Sequence, residues 1–216
     1  MNALRTLIIA ALGFTALPAF ALSASGQDQL LQLQTRWAEI NYQTPQKQRE
    51  EAFAKLVTQA DAALASEPKA AELLIWRGII LSTQAGAKGG LGALGLVKEA
   101  KSSLEQALAI DPQALAGSAY TSLGSLYYQV PGWPIGFGDD EQAEKMLTQA
   151  LAINPDGLDP NYFYADYLQR QKRYEEARAA LEKALAAKDR PGRELADKGR
   201  RAEAQALLQQ VKSKLK

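Results

Sequence analysis

The chain contains neither cysteine nor histidine, and these two absences remove a good deal of chemistry. Without histidine there is no imidazole base, no imidazole metal ligand and no histidine-assisted serine triad. Without cysteine there is no thiolate nucleophile, no disulfide staple and no attachment point for a lipid anchor. Beyond residue 21 no apolar run is long enough to span a bilayer. Packing alone must therefore hold the fold. Carboxylates remain available for acid and base work, as in glycoside cleavage, so a carboxylate-dependent hydrolase is the enzyme alternative. The acidic residues, however, fall mostly where helix caps or solvated faces explain them.

The first segment has the layout of a secretory signal. Arg5 supplies the positive end, Leu7 to Leu17 is an apolar run, and Ala19-Phe20-Ala21 forms an A-x-A site that predicts cleavage before Leu22. The expected product is periplasmic or secreted, a single domain of 195 residues from Leu22 to Lys216. It carries 24 basic and 24 acidic residues, unevenly placed: 10 against 16 from Leu22 to Tyr164, then 14 against 8 from Ala165 to Lys216. The basic end reads as a solvated last helix, over residues 193–216, or as an arm that meets an acidic partner or membrane surface. Export argues against nucleic acid as a partner.

What is present is a repeated spacing. Leu56, Ala60, Ala63, Pro68; Ala100, Leu104, Ala107, Pro112; Ala143, Leu147, Ala150, Pro155; and Ala177, Leu181, Ala184, with Pro191 later, all follow it. Offsets of four and three put each set on one helical face, where alanine admits a neighbouring helix. A helix is predicted over Asp28 to Ile40. A second follows from Gln46 to Ser66, with Thr44 as N-cap and Pro45 opening the helix. A third covers Ala70 to Gln84. Gly78 inside it costs about 1 kcal/mol relative to alanine and so predicts close approach of another helix.

From this point the residues resemble the tetratricopeptide repeat, whose unit pairs two helices in 34 residues. Tyr120, Leu123, Gly124 and Tyr127, then Ala143, Leu147, Ala150 and Pro155, carry the resemblance most fully. Leu74, Gly78 and Leu81 with Ala100 to Pro112 precede them, and Asn161, Tyr164, Ala165 and Leu168 with Ala177 to Ala184 follow. The resemblance implies an all-α fold, a right-handed stack of antiparallel helical hairpins (a TPR-like solenoid), with two enlarged intra-repeat loops. The enlargements are Ala85 to Val97 and Gln129 to Glu141, which consecutive stacked units place on one edge. In the first, Leu91, Leu94 and Leu96 predict packing onto the core. The second carries Trp133, Ile135 and Phe137, which either plug the core or contact a ligand.

Asp139 reads as an N-cap, with Gln142 completing a capping-box-like pair. A metal site from Asp139, Asp140 and Glu141 is the sharper alternative, on weak grounds. Asp159 before Pro160 reads as the next cap. Tyr162, Asp166, Gln169 and Arg170 fall at first-helix positions that line the concave groove in proteins of this resemblance, and Thr121, Ser125 and Tyr128 are their equivalents one unit earlier. With Trp133 and Phe137 they form the candidate ligand or partner surface, and the pattern asks for no cofactor. Pro134 to Ala143, with Leu147 a turn further on, also resembles the periplasmic T-component family of TRAP solute transporters. That likeness implies a solute-binding protein as partner. The expected function is a non-catalytic binding or adaptor protein that takes a protein, peptide or small solute in its groove. An envelope assembly scaffold without a small ligand is the alternative.

Overall fold

The computed structural model describes residues 22–215, so the expected signal, 1–21, lies outside them. Among the described residues there are no strands, and the helices form four successive hairpins and a final helix. α1 (Ala24–Gln43) pairs with α2 (Gln46–Ser66), α3 (Ala71–Lys88) with α4 (Leu94–Ile110), α5 (Ala114–Gln129) with α6 (Asp140–Ile153), and α7 (Leu158–Arg170) with α8 (Tyr174–Ala186). α9 (Glu194–Lys214) completes the stack. None of these helices is long and apolar enough to cross a membrane.

The repeated spacing works as a packing and termination signal together. Every alanine and leucine of the four sets is buried. The last alanine of each set also accepts the first backbone N–H beyond its helix: Glu67 donates to Ala63, Asp111 to Ala107, Asn154 to Ala150 and Ala187 to Ala184. In the first three sets proline comes next, and it cannot continue the helix. Gly78 and Gly124 occupy equivalent places. A Cβ at Gly78 would stand 2.6 Å from Leu104 Cγ and 3.2 Å from the Ala100 carbonyl oxygen, and one at Gly124 would meet Leu147 Cγ and the Ala143 oxygen at the same distances. The close helix approach expected at Gly78 is thus a feature of two units.

The two enlargements are built differently. In the first, α3 runs on to Lys88, the chain breaks at Gly89 and Gly90, and a 3-10 turn, Leu91–Ala93, leads directly into α4. Leu94 and Leu96 pack on the core as expected, but Leu91 is exposed, because the 3-10 turn directs it outward. The second is an irregular loop pinned by backbone bonds from Gly138 N to Pro131 O (3.0 Å) and from Asp139 N to Tyr127 O (2.9 Å). Only glycine fits at 138, where a Cβ would lie 1.9 Å from the Val130 carbonyl oxygen. Phe137 meets Tyr127 edge-on, centroids 5.8 Å apart, in the same core cluster as Leu94 and Leu96. Both segments thus anchor on one core cluster.

Two expected caps are replaced. Thr44 closes α1, its hydroxyl 3.4 Å from the Glu39 carbonyl oxygen, and Pro45 takes the N-cap place without a side-chain bond. Asp159 lies inside the first turn of α7, whose N-cap is Gly157, and is engaged elsewhere. Asp139 does cap α6, its carboxylate accepting from Gln142 N at 3.0 Å. The start of α5 is irregular: Leu115, Ala116 and Gly117 are successively left-handed before the regular helix begins, a conformation that costs L-residues about 1–2 kcal/mol each.

Candidate functional site

The first helices of the hairpins face a common concavity, and α9 is laid across it. Its N-terminal half packs on α1: Ala196 joins the core of Trp37, Phe53 and Trp76, and at Gly199 a Cβ would fall 2.4 Å from the Tyr42 ring. Its C-terminal half packs on α7 and α8, with Ala204, Leu207, Leu208 and Val211 buried against the cluster of Leu168 and Leu181. The last helix therefore joins the last hairpin to the first. A partly enclosed cavity of about 730 Å³ lies inside, walled by α1, α2, α3, α5, α7 and α9, a size suited to a small molecule.

An ion-pair network holds this closure. Asp159 on α7 accepts from Arg190 Nη1 at 2.6 Å and from Arg200 Nε at 2.9 Å. Arg190 also donates through Nε and its backbone N–H to the buried carboxylate of Asp197, at 2.8 and 2.9 Å. Arg200 reaches Glu203 at 2.6 Å and lies 4.5 Å over the Tyr162 ring and 4.6 Å over Phe163. Burial opposes the charge on Asp159, but Arg200 and Arg190 outweigh it and draw its pKa down to about 2. Burial likewise opposes the charge on Arg200, and Asp159 with its neighbours holds that pKa above the usual arginine value.

A second polar network lies beside the cavity. Tyr128 Oη donates to Asp166 Oδ2 at 2.8 Å, Gln129 Nε2 donates to Tyr128 Oη at 3.2 Å, and the Arg170 guanidinium covers the Tyr128 ring at 4.9 Å. Burial pushes the Tyr128 hydroxyl pKa up, and the Asp166 charge pushes it further.

Of the residues expected at the site, Thr121, Ser125, Tyr162 and Asp166 line the cavity. Tyr128 is buried behind it and bonds to Asp166, while Arg170 is exposed and Gln169 half-buried, neither on the lining. Trp133 and Phe137 do not join this set. Trp133 stands 90% exposed on the loop surface, since the backbone bonds that pin the loop leave its tip outside, while Phe137 turns inward onto Tyr127. Asp139 caps α6, and Asp140 and Glu141 are exposed in its first turn. Among the described residues no group of three or more acidic side chains is arranged to hold a metal.

Sequence reasoning missed the α1, α2, α3 and α9 walls, including Trp37, Tyr42, Arg49, Trp76, Arg193 and Arg200. One signal was available. Gly78 and Gly124 are equivalent, so counting from them pairs Ser122, Ser125 and Gln129 with Trp76, Ile79 and Thr83, and all six line the cavity.

Residues 135–196 match a tetratricopeptide repeat family model, and residues 91–114 match a second model of the same description. Over these two stretches the chain is similar to the tetratricopeptide repeat. The first match takes in α6, α7 and α8, and the second takes in α4. Comparison with curated proteins gives no match. Among solved structures this chain is similar to a crystal structure of MamA, at 22% identity over 78% of this chain and 91% of that one, with a TM-score of 0.45. A second MamA structure gives 20% identity over 87% and 92%, with a TM-score of 0.44. A thermophilic TPR protein of Thermus thermophilus, TTC0263, gives 20% identity over 84% and 99%, with a TM-score of 0.42. Tetratricopeptide proteins generally mediate protein–protein interaction and are typically non-catalytic, and no enzymatic family is indicated.

Proposed function

We propose that this chain is an exported, non-catalytic binding and adaptor protein that holds a small solute in its cavity and works as an accessory to solute transport, with a periplasmic solute-binding protein as its partner. The observation that carries this reading is the placement of α9. By joining α7 and α8 to α1 it turns an open peptide groove into a partly enclosed cavity of about 730 Å³. An open groove suits an extended segment, whereas a chamber of this size suits a small molecule. Support for export comes from Arg5, the apolar run and Ala19-Phe20-Ala21. Thr121, Ser125, Tyr162 and Asp166 contribute to the solute wall. The Gln169 and Arg170 edge, outside the cavity and backed by the buried Tyr128, is left for a partner.

A scaffold role without a solute has one observation in its favour. Trp133 and Ile135, 90% and 54% exposed, form an apolar tip on the loop after α5, and such tips are common at protein interfaces. The two readings separate on capture of the mature protein from its own envelope, followed by native mass spectrometry and identification of cross-linked proteins. A small molecule bound at one per chain together with a cross-linked solute-binding protein is the expected result. Protein partners with an unliganded chain would overturn the solute reading in favour of the scaffold.

A further inference from the structure

The cavity carries cations that its own carboxylates do not neutralise. Four arginines line it, Arg49, Arg190, Arg193 and Arg200, against Asp159, Asp166 and Glu203. Arg190 and Arg200 are committed to Asp159, Asp197 and Glu203. Asp166 is taken by the Tyr128 hydroxyl and by Arg170. Arg193 is different. Its guanidinium lies 4.9 Å over the Trp76 ring, and among the described residues no carboxylate reaches it within ion-pair distance. Burial and the neighbouring Arg190 charge lower its pKa below the usual arginine value, and the more distant charges of Asp159 and Asp197 offset them only in part. Among the described residues Arg49 is bonded only through Nε to the Thr44 carbonyl oxygen, at 2.8 Å. The buried Tyr42 hydroxyl, beside the Asn41 side chain, makes no hydrogen bond of normal geometry among the described residues.

Arg193 and Tyr42 belong to one end of the cavity, where the surrounding wall is aromatic. Trp37 meets both Tyr42 and Trp76 edge-on, centroids 5.9 Å apart in each case, and donates through Nε1 to Thr83 Oγ1 at 3.0 Å, which fixes its ring. A guanidinium lying over an indole is held flat and pre-organised, with its N–H edge free to bind an oxyanion.

We propose that this end of the cavity recognises a small amphipathic organic anion, its oxyanion group bound by Arg193 and its apolar body lying against Trp37 and Trp76. The flat fork of Arg193 suits a carboxylate, and Tyr42 supplies a further donor. The site uses residues from α1, α3 and the start of α9, so it exists only while α9 is docked. It rests on the solute-binding reading above and adds the chemical class of the solute.

The test uses the mature chain, with titration calorimetry and tryptophan fluorescence as readouts, since Trp37 and Trp76 line the site. The probes are 4-phenylbutyrate, its sulfonate counterpart 4-phenylbutane-1-sulfonate, and the neutral 4-phenylbutanamide. The carboxylate is expected to bind at least ten-fold more tightly than the amide, with the sulfonate between them, and the preference should weaken as salt rises. Arg193→Gln is expected to abolish the preference while leaving amide binding and the melting temperature near the parent values. Arg193→Lys, which keeps the charge and loses the fork, should retain part of it. Equal binding of carboxylate and amide would overturn the anion assignment and leave the solute reading intact. So would an undiminished preference in Arg193→Gln. If no probe binds, the inference falls, and the solute reading is then judged by whether a small molecule accompanies the captured protein.

Discussion

Replacing Asp159 with asparagine keeps the size of the side chain and removes the charge that ties α7 to α9. The carboxyl has a pKa lowered from 3.8 to about 2, which corresponds to about 2.5 kcal/mol of stability at neutral pH. Its side chain is 28% exposed, so screening by water takes only part of this. A second route gives a similar figure. Breaking a buried ion pair costs about 3–5 kcal/mol, but here Arg190 keeps Asp197 and Arg200 keeps Glu203, so about 2–3 kcal/mol is expected. The sign with pH follows from the depressed pKa. The contribution is complete above the unfolded value near 4 and is lost as pH falls towards 2, with about half gone by pH 3. Urea unfolding of parent and Asp159→Asn, followed by circular dichroism at pH 7 and pH 3, should therefore show a gap of about 2–3 kcal/mol that narrows by about half in acid. Hydrogen exchange should locate the loss in α9 and the facing part of α1. A gap below about 0.5 kcal/mol at pH 7, or one unchanged at pH 3, would refute the assignment of Asp159 as the charge that holds α9.

Gly124→Ala should destabilise by about 1–2 kcal/mol despite the better helix propensity of alanine, because its Cβ would press on the fully buried Leu147; a melting temperature at or above the parent would deny the close helix contact. Ala107→Leu and Ala150→Leu should each cost about 1–3 kcal/mol through overpacking at positions with no exposure, read by the same thermal melts. Lys172 closes α7 at φ 60°, with its N–H on the Gln169 carbonyl oxygen and the Arg173 N–H on that of Leu168. Lys172→Gly should thus stabilise by about 0.5–1 kcal/mol, read as a melting temperature a few degrees higher.

The frame was legible because its signals are local. Four and three residues fix a helical face, the next alanine accepts the terminating N–H, and proline stops the helix, so Leu56 to Pro68 and its repeats could be placed without knowing what lies across from them. The cavity depends on a contact between opposite ends of the chain, and no local pattern says where α9 goes. Asp159 shows the difficulty: beside Pro160 it has every local mark of an N-cap, yet its carboxylate is engaged by two arginines from the chain's end. Trp133 shows another, since a large apolar side chain near glycine and proline reads equally as a plug or a contact until the backbone of the loop is fixed. Part of the closure was nonetheless readable. The rule that made Gly78 a point of close approach applies equally to Gly199 inside α9, where the neighbour is the Tyr42 ring of α1. The opposite charge of the two parts of the chain points the same way, because Arg190 and Arg200 from the basic end meet Asp159 from the acidic one. An interior helix glycine and a charge imbalance, taken together, thus mark a helix that returns to the start of the stack, which is the step that makes the cavity.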